Sequence, residues 1–228
     1  RIPELSFSLS SNALISGELA PQSIELFGPE LRLIRAKNGS IEFAIKSESN
    51  IVALNPAELV SWFLRPSGNT AQTDFLRTIS IVGGELSLED KQIEKTWNSP
   101  IEFATLTRGE RYLSFLARGQ LEFDTKATDI LLSGKIFPYE ENVSLNATFS
   151  NLIPAKISEH YLALKTLKTF NLPVSGSVDL EVGLDGKIEG GNFQITATKG
   201  NLVNPEISKQ DIHVTSAFLK GKIIKGAS

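Results

Sequence analysis

Strict alternation of apolar and polar residues over long stretches is the feature that most constrains what this chain can fold into. From Val174 to Leu184 the branched apolar residues fall on one parity, and the serine and acidic residues fall on the other. Side chains of a strand point to alternate faces, so a period of two predicts a strand with one apolar and one polar face. The pattern recurs over Tyr112–Asp124, a length of about 43 Å at ~3.3 Å per residue. Because strands of ordinary sheets hold about 5–6 residues, we predict unusually long ribbons.

Further alternating segments and turn residues predict an antiparallel meander. Asn38-Gly39 indicates a tight hairpin, because both central residues of a type I′ turn need positive φ, and Asp185-Gly186 indicates another. Gly28-Pro29 indicates a turn, and Gly83-Gly84 indicates a bulge. The predicted strands include Leu5–Leu9, Ser23–Phe27, Leu31–Arg35, Thr78–Val82, Glu85–Leu88, Ile101–Arg108, Tyr112–Asp124, Asp129–Phe137, Val143–Ser150 and Ile212–Lys220.

Two helical segments interrupt the predicted strands. Asn55 is suited to cap a helix that begins at Pro56 and extends to Leu64, since proline is favoured at the first helical position. A second helical region is predicted between Pro154 and Phe170, where apolar residues recur at steps of three and four. A shorter helical turn is predicted at Asn12–Ser16. The sequence therefore predicts a mainly β chain with two short helical interruptions.

Composition excludes several classes of function. The formal net charge is −3 and no block of five like charges occurs, which disfavours nucleic acid as a partner because phosphate binding needs a concentrated basic patch. The chain has no cysteine, which excludes disulfides, thiol nucleophiles and thiolate metal sites. Methionine is absent as well, even at position 1. Both ends of the chain fall within a pattern, so we expect a segment excised from a longer protein.

Few side chains in the sequence are candidates for catalysis or metal binding. His160 and His213 lie far apart in the sequence without a cysteine partner, and the pattern favours surface or interface histidines over a metal ligand or a catalytic base. The neighbouring carboxylates Glu89-Asp90 and Glu140-Glu141 would point to opposite faces of a strand. No phosphate-binding glycine loop, zinc spacing or nucleophile elbow occurs. We predict no enzyme activity, no metal and no cofactor.

The apolar faces of the strands are the remaining candidate site. One interpretation is a sandwich core that faces a second sheet, and the other is a partly open groove, favoured by the length of the strands. Similarly, Trp62-Phe63 would either be buried on the sheet or contact a membrane or groove. Residues that share parity within the long strands are the groove candidates: Leu113, Phe115, Leu121, Phe123, Val178, Leu180, Val182, Phe193 and Ile195.

Four segments carry a resemblance to a known family. RIPELSFSLSSNALISGELAPQSIELFGPELRLIRAKNGSIEF is similar to a strand, helical turn and hairpin, and FLRTISIVGGELSLEDKQIEKTWNSP to a strand pair that ends in an acidic turn and a tryptophan. FSNLIPAKI and LPVSGSVDLEVGLDGKIEGGNFQITATKGNLVNPE resemble a later helix and glycine-containing hairpins. In this order the segments resemble the amino-terminal periplasmic segment of the bacterial AsmA-like family of bridge-like lipid transfer proteins.

The resemblance implies a fold and a function. It implies one AsmA-like β domain over residues 1–228, with possible sub-units 1–152 and 153–228, built as a long, strongly curved antiparallel sheet that forms a groove. The apolar concave face would hold acyl chains of phospholipid or another lipid. The chain would be periplasmic, anchored to the inner membrane by a segment outside this sequence, and the family carries no catalytic residues.

A rival function remains open at this point. A structural or chaperone-like module would use its sheet edges to add strands from other envelope proteins and so aid outer-membrane protein assembly. A lipid-binding segment should copurify with phospholipid, whereas the rival predicts lipid-free protein.

Overall fold

A computed structural model describes residues 4–38, 41–46, 51–54, 63, 72–123, 126–137, 139–158, 167–183, 187–202 and 211–225. The chain is mainly β, as predicted. Two short helices are described, α1 (Ser11–Ile15) and α2 (Pro154–Ser158), together with a 3-10 turn at Gln72–Phe75. The strands are β1 (Glu4–Leu9), β2 (Pro21–Phe27), β3 (Glu30–Arg35), β4 (Ile41–Lys46), β5 (Ile51–Leu54), β6 (Thr78–Asp90), β7 (Lys95–Arg108), β8 (Leu113–Phe123), β9 (Lys126–Phe137), β10 (Asn142–Leu152), β11 (Phe170–Asn171), β12 (Val174–Gly183), β13 (Ile188–Ala197), β14 (Gly200–Leu202), β15 (Ile212–Val214) and β16 (Ala217–Ile224).

Among these strands, thirteen share one large sheet that does not close into a barrel. Eleven follow one another in the order β16-β13-β12-β10-β9-β8-β7-β6-β3-β4-β5. The other two, β1 and β2, branch from β6, because β2 pairs with both β1 and β6. A separate small sheet has the order β11-β14-β15. Most neighbours in the large sheet are consecutive in the chain, as in a meander.

The large sheet is mixed rather than wholly antiparallel. The first part of β6 pairs in parallel with β2, and its second part pairs in parallel with β3. Both β2 and β3 run parallel to β6 because the chain does not reverse at Gly28-Pro29. The connection is itself hydrogen-bonded to β6, since Gly28 donates its N–H to Val82 O (3.1 Å) and Pro29 O accepts from Glu85 N (3.0 Å). The turn predicted at Gly28-Pro29 is therefore a connection between two strands that run in the same direction.

Glycine at position 84 is required by the close approach of Pro29. A Cβ on Gly84 would lie 2.8 Å from the carbonyl oxygen of Pro29, and its φ of +153° is rarely adopted by other residues. Gly28 and Gly83 share a φ of +61°. The pairing of β6 with β7 keeps one register through this point, so Gly83-Gly84 does not form the expected bulge. The two glycines lie beside the Gly28-Pro29 connection between β2 and β3.

The helix predictions are only partly within the described residues. The helical turn near Asn12–Ser16 is confirmed as α1, whose N-cap Ser10 accepts a hydrogen bond from Ala13 N through its side chain. Of the range Pro56–Leu64, the structure describes only Phe63. Within the region predicted between Pro154 and Phe170, Pro154–Ser158 forms α2 and Phe170 begins β11, and residues 159–166 lie outside the described part.

The chain forms two compact units. Unit 1 comprises residues 1–119 and 133–142, and unit 2 comprises residues 120–132 and 143–228. Residue 152, proposed from the sequence as a boundary, lies inside unit 2. The core of unit 1 is built on Phe63, Leu76 and Leu113, and that of unit 2 on Leu172, Val174 and Ala197. No described helix is long and apolar enough to cross a membrane.

Candidate functional site

In unit 2, the apolar residues of three adjacent strands lie on one face of the sheet. Directly opposed residues of paired strands point to the same side, so the register assembles this face row by row. We call it the unit 2 face. Its rows are Val174–Ala197–Ala217, Gly176–Ile195–Leu219, Val178–Phe193–Gly221 and Leu180–Gly191–Ile223, and Val182 lies opposite Ile188.

Large side chains of the unit 2 face lie over glycines of the neighbouring strand. The position that a Cβ would take on Gly221 is 2.5 Å from Cζ of Phe193, and the corresponding position on Gly191 is 3.0 Å from Cδ2 of Leu180. The absence of a side chain at these glycines lets the ring and the leucine lie along the sheet. These side chains thus cover backbone of the neighbouring strand.

One end of the unit 2 face is sealed. Val174 and Ala197 are buried with Leu172, and Leu202 and Val214 of the small sheet pack against them. At this end the sandwich interpretation therefore holds locally, because a second sheet covers the first.

The rest of the unit 2 face is more open. Val178, Leu180, Val182 and Phe193 are half-buried and lie outside the buried cluster. At the edge strand β16, Leu219 is 58% exposed. The face is therefore covered at the start of β12 and accessible toward β16.

Unit 1 contains a second apolar face that crosses five strands. We call it the unit 1 face. Its two rows are Phe7–Ile24–Ile79–Leu106–Phe115 and Leu5–Leu26–Ile81–Ala104–Ala117. Phe7 is 62% exposed and Leu5 is 57% exposed, whereas Ile24, Ile79 and Leu106 pack against the buried cluster of Phe63, Leu76 and Leu113. The face is thus open at β1 and covered toward β8.

The groove residues predicted from the sequence divide between these environments. Leu113 is 0% exposed, so the expectation of a partly open position does not hold for it: Phe63 and Leu76 seal it. Phe115 and Leu121 are half-buried, and the side chain of Phe123 lies outside the described residues. The five candidates on β12 and β13 lie together on the unit 2 face: Val178, Leu180, Val182, Phe193 and Ile195.

Several face residues were missing from the sequence-based set. Leu5 and Phe7 have the alternation of a strand, which was recognised, but only the pairing of β1 with β2 joins them to a longer apolar row. Leu219 belongs to a predicted strand, and Ile223 lies beyond its predicted end. The alternation within each strand predicts which residues share a face. It does not predict which strands pair with one another.

The opposite faces of the sheet are polar and hydrogen-bonded. Asn146 Nδ2 donates to Asp179 Oδ1 at 2.6 Å between β10 and β12, and the hydroxyls of Ser80 and Thr105 lie 3.4 Å apart between β6 and β7. In both units the side of the sheet opposite the apolar face therefore carries polar contacts between strands, and exposed apolar residues such as Phe218 and Leu116 interrupt it.

Three of the polar residues singled out in the sequence, Glu89, Asp90 and His213, have structural partners. Asp90 is 4% exposed, and its carboxylate accepts from Arg35 Nη1 at 3.0 Å and from Gln92 N at 2.9 Å. Glu89 pairs with Arg32. His213 Nδ1 lies 2.7 Å from Asn201 Oδ1 on the small sheet, and His160 lies outside the described residues. Within the described part, no three acidic or histidine side chains group as a metal site would require.

The chain was compared with models of known protein families, with curated proteins and with solved structures. None of the three comparisons finds a match.

Proposed function

We propose that this chain is a non-enzymatic lipid-binding segment of the AsmA-like type, which holds acyl chains of phospholipid on its apolar sheet faces. In this proposal the segment is periplasmic and its anchor in the inner membrane lies outside the sequence. The observation that carries the proposal is the unit 2 face, whose apolar rows extend from a sealed end to the exposed edge residue Leu219. The curvature expected of the family is part of the proposal.

An open apolar face suits a lipid because tails and head group need different surroundings. Each buried methylene contributes about 0.8 kcal/mol, so a tail with roughly ten methylenes half-buried on the sheet gains about 4 kcal/mol. A single face covers only one side of the tail, and a second tail or further residues would cover the other. The head group remains in water at the edge of the sheet, and no reactive side chain is needed.

The first test is whether the purified chain carries lipid. Native mass spectrometry should show phospholipid adducts, and extraction should recover the lipid. Leu180→Asp places a carboxylate in the half-buried centre of the unit 2 face, and should remove the adducts while a near-normal thermal melt is retained. Thr196→Asp is the matched control, since Thr196 is exposed on the opposite side of β13. It should keep both lipid and melt.

Two results would overturn the proposal for this face. Collapse of the Leu180→Asp melt would mean that the position is sealed core, because an unpaired buried charge unfolds a domain. Unchanged lipid adducts in a folded Leu180→Asp variant would place the lipid elsewhere.

A structural or chaperone-like function is the second candidate, and β16 favours it. This edge strand exposes apolar side chains on both faces, with Phe218 62% and Ile224 81% exposed. Such an edge is suited to pair with an added strand. Lipid-free protein that binds extended outer-membrane protein segments through β16 would favour this function over the first.

A further inference from the structure

We propose that the loop from Ser10 to Ala20 in unit 1, the 10–20 loop, inserts into the interface of a zwitterionic phospholipid bilayer. Insertion itself does not depend on lipid being held by the sheet. That the loop delivers lipid to the unit 1 face is a further step, and this step rests on the proposed function.

The 10–20 loop exposes large apolar side chains. Ile15 is 85% exposed, Leu19 68% and Leu14 49%. In contrast, its small residues Ala13 and Ala20 are 0% and 1% exposed. The loop therefore buries its alanines against the unit and directs its three largest apolar side chains to solvent, opposite to the usual arrangement. Contiguous exposed apolar groups of this kind mark interaction surfaces.

The exposed side chains are held by an ordered backbone. Ser10 N donates to Ala20 O at 2.9 Å, which closes the two ends of the loop. Inside the loop, Glu18 N donates to Ala13 O (2.8 Å) and Gly17 N donates to Leu14 O (3.0 Å). Gly17 has a φ of +80°, which glycine adopts at no steric cost. The backbone geometry of the loop thus holds these apolar side chains in exposed positions. The loop therefore loses little conformational entropy on binding.

The same hydrogen bonds favour a lipid environment for the loop. A backbone that enters an apolar medium must satisfy its polar groups internally, and at the tip the N–H groups of Leu14, Ser16 and Gly17 all donate to carbonyl oxygens of the loop itself. A site for the addition of a strand from a protein partner would instead present unpaired backbone N–H and C=O groups. The internally bonded loop therefore fits a bilayer better than an added strand.

Charge selects the kind of bilayer. Between Ser10 and Ala20 the only charged residue is Glu18, and no lysine or arginine occurs. Attraction to anionic lipids requires basic residues, so this loop offers apolar insertion alone. Binding should therefore occur on phosphatidylcholine and change little with salt.

The position of the loop suggests how lipid would reach the sheet. The loop connects β1 to β2, and these strands carry Leu5 and Phe7 at the open side of the unit 1 face. A loop seated in the bilayer interface would bring this open side next to the acyl chains.

The absence of cysteine allows a single-label test on the full chain. Ile15→Cys carrying the environment-sensitive dye NBD should shift to shorter wavelength and brighten when phosphatidylcholine vesicles are added. Ile224→Cys with the same dye is the matched control, since Ile224 is 81% exposed but lies on β16 of unit 2. Its emission should stay unchanged. No shift at Ile15→Cys, or equal shifts at both positions, would overturn the proposal. A shift that grows with protein concentration in the absence of vesicles would mean a second copy of the chain as the occupant and would overturn it too.

Vesicle flotation measures the contribution of the side chain. Burying an isoleucine contributes about 1.5–3 kcal/mol, and each 1.4 kcal/mol is tenfold in affinity, so Ile15→Asp should weaken partitioning by about ten- to a hundredfold. The melt should not change, because Ile15 is exposed. Unchanged partitioning of Ile15→Asp would overturn the proposal.

Measuring lipid adducts and vesicle binding on the same variants tests this inference and the proposed function independently. Ile15→Asp should keep lipid supplied in detergent micelles, and Leu180→Asp should still bind vesicles. Loss of adducts in Leu180→Asp with normal vesicle binding supports both proposals. Vesicle binding by a chain that never carries lipid would refute only the proposed function.

Discussion

Leu113 offers a direct test of where the sheet is sealed. This residue has the parity of an open groove position, yet its side chain is 0% exposed and lies in one cluster with Phe63 and Leu76. Leu113→Ala removes three carbons from this cluster. The surrounding residues belong to several separate strands and a distant segment, so they can close only part of the cavity.

The expected cost follows from this packing. Leucine-to-alanine changes in packed cores cost about 2–5 kcal/mol, through lost transfer free energy and the residual cavity, and we expect about 3 kcal/mol for Leu113→Ala because its burial is complete. Leu116→Ala is the matched control on the same strand. Leu116 is 41% exposed and lies opposite Thr105, so its truncation leaves no cavity and should cost below about 1 kcal/mol.

Urea unfolding of the three proteins measures the difference. The midpoint should fall clearly for Leu113→Ala and little for Leu116→Ala, with similar slopes. In thermal melts, the predicted difference of about 2 kcal/mol corresponds to roughly 4–8 °C for a chain of this size. Equal losses for the two variants, or a loss below about 1 kcal/mol for Leu113→Ala, would refute the sealed core and return Leu113 to an open surface.

Two further predictions use matched pairs. Gly191→Ala should destabilise by about 1–3 kcal/mol, because its Cβ would lie 2.2 Å from the carbonyl oxygen of Asp179. Gly190→Ala has its nearest atom at 3.6 Å and should be neutral or stabilise by about 0.4–1 kcal/mol; equal unfolding midpoints would contradict this strand contact. Asp90→Ala should cost about 1–3 kcal/mol, since it removes the buried acceptor of Arg35 Nη1 and of Gln92 N. Glu189→Ala removes the exposed ion pair of Glu189 with Lys225 and should lower the free energy of unfolding by less than about 1 kcal/mol. A lower unfolding midpoint for Asp90→Ala than for Glu189→Ala is expected, and the reverse order would contradict the larger contribution of the buried carboxylate to stability.

Local sequence patterns determined the strands and some of their ends. Alternation alone placed β8 and β12, because the period of two reflects the geometry of a single strand and needs no partner. The turn pair Asp185-Gly186 was what indicated the hairpin that leads to β13. The helical turn at Asn12–Ser16 was predicted as well and corresponds to α1, whereas its cap at Ser10 was recognised only in the structure. The two-faced character of the sheet was therefore present in the sequence.

Only the tertiary structure decided which strands are neighbours and which part of each face is open. The parallel pairing of β6 with β2 and β3 could not be inferred, because parity specifies a face but neither a partner nor a direction. Leu113 and Leu180 carry the same local signal, yet one is sealed and the other half-buried. The difference arises because Phe63 and Leu76, distant in the sequence, cover Leu113. Burial is set by what packs from elsewhere in the chain, and no local period encodes that.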